Sequence, residues 1–153
     1  MKPLDTNPEE VLRKAIQDEI TTHEFYQRLS ERVEVAEAKK KLLDLAELQL
    51  VHRARLERRY REVIGRQPPD PEVPRVDIPL DAHEYDLHRV LKLALEHERD
   101  SESNYRFLAE RVPDTELGSL FLELAEMEWK HKTDIQNEYN AMLDPEQFLL
   151  DMD

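Results

Sequence analysis

The chain has 153 residues, of which 37% are charged and two are glycine, and its 35 acidic against 22 basic side chains give a formal net charge of -13. Such a field attracts cations and repels phosphate backbones and anionic membranes, so nucleic acid is not an expected partner. The absence of cysteine excludes disulfides, thiolate metal sites and cysteine nucleophiles. No amino-terminal apolar segment and no run of about 18 apolar residues suggests a membrane, so a soluble, cytoplasmic protein is expected.

Long stretches rich in Ala, Leu, Glu, Lys and Arg predict an all-α chain, because these side chains lose little rotamer freedom in a helix. Asn7 before Pro8, Glu9 and Glu10 reads as an N-cap, a first-turn proline and acids that complement the helix dipole, so a first helix runs from residue 8 to about Val33. A second follows the weak break RVEVA and ends near Gly65, closing a hairpin over 8–64. Pro68, Pro69, Pro71, Pro74 and Pro79 forbid helix between 66 and 80. The acidic box Asp81-Ala-His-Glu84 predicts the start of a third helix, running to about Val112, and Pro113-Asp114 opens a fourth that ends near Leu143. These make a second hairpin over 82–143, followed by a tail over 144–153 whose Phe148, Leu149 and Leu150 suit docking on the bundle or on a second subunit. Fifteen extended residues reach about 50 Å at 3.3 Å each, enough to run the length of a 26-residue helix of about 39 Å. One four-helix domain over 1–153, two hairpins joined by a long crossover, is therefore expected.

The halves repeat at an offset of 79: Ala15 meets Ala94, Glu19 meets Glu98, Tyr26 meets Tyr105, His52 meets His131 and Tyr60 meets Tyr139. A constant, gapless offset through two helices predicts hairpins packed about a pseudo-two-fold axis, with a site drawn equally from both.

Each helix carries polar residues in the middle of its apolar stripe. The first reads Leu12, Ile16, Glu19, Thr22 or His23, Tyr26, Leu29; the second reads Leu42, Leu45, Gln49, His52, Leu56. The third reads Leu91, Ala94, Glu98, Ser101, Tyr105, and the fourth reads Phe121, Leu124, Glu128, His131, Ile135. An isolated Glu-x-x-His is ordinarily a solvated pair, but here four helices supply acids at one level of a core. Unpaired buried carboxylates cost several kcal/mol each, which a divalent cation offsets. A Glu from each of two helices with Glu-x-x-His from each of the other two is the di-iron carboxylate pattern, complete here except for Gln49. Glu47 and Glu126 lie off the stripe, His23 is a candidate extra ligand, and His83, His88 and His97 read as surface histidines.

EFYQRL after Glu19, NYRFLAER after Glu98 and LAEMEWKH ending at His131 resemble the rubrerythrin family of ferritin-like di-iron proteins, over nearly the whole chain. The resemblance implies a ferritin-like antiparallel bundle holding two iron ions on Glu19, Glu98, Glu128, His52 and His131. Tyr26 and Tyr105 then stand beside the ligand carboxylates. It also implies reduction of peroxide, or oxidation of ferrous iron by peroxide or dioxygen, with electrons from a separate donor protein, and a homodimer. The chain departs from the family pattern in three ways: Gln49 in place of a glutamate, which weakens the site, Ser101 (with Glu102 beside it) in place of a further glutamate, and no four-cysteine electron-transfer module, so that the electron donor is a separate molecule. A neutral amide lowers the charge of the site by one, so a single ion, another divalent metal, or metal handling without turnover stays open, as does a metal-free helical scaffold.

Overall fold

The computed structural model describes residues 7–72, 74–112 and 115–142. They form four helices, α1 (Pro8–Arg32), α2 (Ala36–Ile64), α3 (Leu87–Arg111) and α4 (Thr115–Ala141), with a short 3-10 turn over Ala82–Glu84. Asn7 caps α1 by accepting from the backbone N–H groups of Glu9 and Glu10, and Gly65 closes α2 in the left-handed region at φ 81°. That conformation is strained for any residue with a Cβ.

Cross-helix pairs set the order of the bundle. Glu19 with Tyr105 and Tyr26 with His97 hold α1 antiparallel to α3. Lys41 with Glu138 at 2.8 Å, Arg55 with Glu123 and Arg59 with Glu116 at 3.5 Å hold α2 antiparallel to α4. Since α1–α2 and α3–α4 are themselves hairpins, α2 and α3 run the same way, and the chain between them must return the full length of the bundle. It does so along α1: Arg66 pairs with Glu9, the Glu72 carbonyl accepts from Gln17 Nε2, and Ala82 is buried with Leu29, Val33 and Ala38 at the far end. This is the ferritin-like connectivity expected from the proline-rich crossover.

The third helix starts later than expected. Asp81 makes no capping bond, and the box it heads forms only the 3-10 turn; Asp86 caps α3 by accepting from the Arg89 N–H at 2.9 Å. Arg89 reaches back to Asp81 at 3.1 Å and lies over the Tyr85 ring, which fixes the corner. The Pro113-Asp114 opening of the fourth helix, its end near Leu143 and the apolar tail at Phe148, Leu149 and Leu150 lie outside the described residues.

The apolar core is in two parts. One gathers Tyr26, Leu29, Leu42, Leu45, Leu91 and Ile135; the other gathers Leu12, Ile16, Leu56, Tyr105, Phe121 and Leu124. Glu19, Gln49, His52, Glu98 and Glu128 are also buried, on helical turns lying between the two, so the core is interrupted at mid-height by a polar layer.

Candidate metal centre

Helix spacing places the polar layer. Gln49 with His52, and Glu128 with His131, stand at i,i+3 and share a face of α2 and of α4, while Glu19 and Glu98 occupy repeat-matched turns of α1 and α3. Glu98, Glu128 and His52 are 0% exposed, Gln49 2% and Glu19 5%; His131 is half-buried.

His52, Glu128 and His131 come together, each offering one ligand atom within 4.8 Å of the others. The two imidazoles are stacked, 5.7 Å apart and 13° from parallel. Glu19 adjoins them, with Oε2 3.7 Å from His52 Nδ1. Glu98 and Gln49 are also buried, and Glu98 does not join the group of three.

His52 Nδ1 approaches Glu128 Oε1 to 2.7 Å, yet neither atom has a hydrogen-bond partner. The approach is a charge contact without the alignment of a hydrogen bond. Burial pushes the His52 imidazole down, but the carboxylates of Glu128 and Glu19 outweigh it and raise its pKa to about 9. His131 goes the other way: burial lowers it, Glu128 opposes, and His52 adds to the lowering. Stacked imidazoles of opposite tendency suit a shared proton or a shared cation.

Both oxygens of Glu98, both of Glu128, Glu19 Oε2, both ring nitrogens of His52 and His131 Nδ1 are buried without hydrogen-bond partners. Where no charge contact offsets it, such an atom costs on the order of 1–3 kcal/mol and more when charged; the carboxylate oxygens, and one nitrogen of each imidazole once deprotonated, are lone-pair donors that a metal accepts. A set of carboxylate oxygens and imidazole nitrogens without sulfur suits iron, manganese or zinc. The residues present therefore fit a transition-metal dication.

Around this group, Tyr105 donates its hydroxyl to Glu19 Oε1. Burial, then the Glu19 charge, pushes its ionisation well up, so it stays a donor. Its repeat mate Tyr26 differs: the hydroxyl is buried without a partner, and its ring meets His97 edge-on at 5.6 Å. The half-buried His97 lies with Glu19 on the wall of a cavity between α1 and α3 rather than on the open surface. A signal existed in the sequence, since His97 and its repeat mate Asp18 each immediately precede a buried glutamate. His88 packs on Tyr139 at 4.6 Å and His83 is exposed. His23 faces a groove with Asp44 and Glu47 on the outer side of the α1–α2 hairpin. Glu102 is neutralised by Lys132 at 2.7 Å and Arg106 at 2.9 Å, and Ser101 contacts His97 at 3.3 Å.

Residues 10–78, which cover the first hairpin and most of the crossover, match the family model described as Rubrerythrin. A solved structure of a hypothetical protein from Pyrococcus furiosus is similar at 28% identity with a TM-score of 0.65, over 88% of this chain and 89% of that one. No curated protein matches. The chain is thus a ferritin-like four-helix bundle whose first hairpin and crossover carry the rubrerythrin family pattern.

Proposed function

We propose that this protein is a non-haem iron oxidoreductase of the rubrerythrin type, which reduces peroxide or oxidises ferrous iron with electrons from a separate donor. The observation that supports it best is the convergence of His52, Glu128 and His131 beside Glu19 in a layer of unpartnered buried donor atoms. Bound iron would supply the exchange between ferrous and ferric states that carboxylates and imidazoles alone cannot.

The chain's own residues do the rest. Glu128, His52 and His131 hold the cation, Glu19 adds a carboxylate whose second oxygen is fixed by Tyr105, and Glu98 brings further charge from α3. The two apolar clusters keep bulk water from either end of the layer, which strengthens each ligand contact in the low local dielectric. Tyr105 carries a proton at Oη beside a candidate ligand carboxylate, where it can serve a neighbouring oxygen species.

A second reading, a site that keeps one ion and handles metal without turnover, draws support from Gln49 and from the grouping of only three ligand residues among those described. Anaerobic loading with ferrous iron followed by hydrogen peroxide separates the readings. The oxidoreductase binds about two irons per chain, develops a ferric charge-transfer band and consumes peroxide. The one-ion site binds one or fewer with no peroxide loss, and Gln49→Glu then raises the stoichiometry. Failure to bind iron at all removes both.

A further inference from the structure

A cation that binds in the polar layer must first reach it, and most directions are shut. Along the bundle axis the layer is capped by Leu12, Leu56 and Phe121 on one side and by Tyr26, Leu42 and Leu91 on the other, all buried. Around the bundle, α1–α2 and α3–α4 are close hairpins. The α2–α4 face is bridged by ion pairs, and in its outer groove Arg55, Arg58 and Arg59 neutralise Glu62, Glu116 and Glu123, so it offers a cation no net attraction.

The α1–α3 face differs. It holds a cavity of about 270 Å³ whose polar lining includes Asp18, Asp100, Thr22, Ser101 and Asn104, with no lysine or arginine among the lining residues. Glu19 also lines it, is 5% exposed, and carries Oε2 without a hydrogen-bond partner. That oxygen lies 3.7 Å from His52 Nδ1. Surface acids, hydroxyl oxygens, a buried carboxylate and then the histidine group thus form one continuous series from solvent inward.

We infer that this cavity is the entry path for a small divalent cation, drawn in by Asp18 and Asp100 and passed by Glu19 to the histidine group. The inference rests on the metal-site reading above, and it assigns to Asp18, Asp100 and Asn104 a role in the rate of loading and none in holding the ion.

Cobalt(II) is the probe, because its visible d–d bands report ligation without any turnover. In stopped-flow loading of the full chain at low salt, the Asp18→Asn/Asp100→Asn double variant is expected to take up Co2+ roughly ten-fold more slowly than wild type. The two rates converge near 1 M salt, where charges are screened within about 3 Å, and the final spectrum and stoichiometry stay the same. Asn104→Trp, which places a large ring at the exposed mouth, slows loading at every salt concentration. Wild-type rates in both variants would overturn the entry path while leaving the metal site standing, as would faster loading in Arg58→Ala on the opposite face. A wild-type chain that takes up no Co2+ would overturn the metal site and the entry path together.

Discussion

Burying a carboxylate without a partner costs more than most single contacts in a helical bundle contribute, and Glu98 is buried with both oxygens unpartnered. If that cost is maintained for a metal, Glu98→Met should separate stability from binding. The metal-free variant is expected to unfold at higher urea than metal-free wild type, by on the order of 1 kcal/mol or more, while its affinity for Co2+ falls. A purely structural glutamate would show the reverse, with stability lost and binding untouched. His52 gives the pH dependence. Its pKa, raised by Glu128 and Glu19 to about 9 from the ordinary 6.5, means that in the metal-free protein its stabilising charge contact is fully present below pH 6.5 and is lost as pH rises through about 9. A cation ligated by that ring displaces the proton, so Co2+ affinity should rise between pH 6.5 and 9, with about one proton released per ion at neutral pH. Calorimetry in buffers of different ionisation enthalpy reads the proton directly, and flat affinity across that interval would take His52 out of the ligand set.

Helix ends show what local chemistry decides. Gly65 stands at φ 81° with open space around its missing Cβ, so Gly65→Ala meets no clash and isolates the backbone term. It should lower stability by roughly 1 kcal/mol with an unchanged slope in urea unfolding; an unchanged midpoint would mean that the end of α2 frays into another conformation at no cost. Both Gly65 and the Asn7-Pro8 start were legible in the sequence because their residue types have few alternative uses. The start of α3 was not, because Asp81 and Asp86 both stand where a cap could form. The choice falls to Arg89, whose N–H is capped by Asp86 and whose side chain spans Tyr85 and Asp81. Stripe position likewise foretold that Glu19, Gln49, His52, Glu98 and Glu128 are buried. It could not foretell that His52, Glu128 and His131 are the ones that close to mutual ligand spacing among the described histidines and acids, since helix rotation and rotamer choice decide that at the scale of an ångström. Nor does the 79-residue repeat impose symmetry on its details, as Tyr105 bonds Glu19 while the Tyr26 hydroxyl stays unpartnered.

At the scale of the whole molecule, the polar layer splits what would otherwise be one continuous core, and the net charge of -13 adds self-repulsion to the same compact state. A dication bound at mid-height joins the two apolar clusters through ligands from both hairpins, so metal and fold should be thermodynamically linked. For a site that the unfolded chain lacks, free metal at 100 times the dissociation constant adds about 2.7 kcal/mol. In a chain of this length that corresponds to a rise of roughly 5–10 °C in Tm. The general screening of surface acids by any divalent ion must be separated from this effect. Mg2+, which prefers oxygen ligands and keeps much of its water, supplies that baseline, and Co2+ or ferrous iron should exceed it by most of the expected shift. His52→Ala with His131→Ala should reduce the transition-metal response to the Mg2+ level. If Co2+ and Mg2+ move wild-type Tm equally, the buried acids and imidazoles hold no transition metal, and the bundle is better understood as a scaffold that tolerates a costly polar layer for a reason other than redox chemistry.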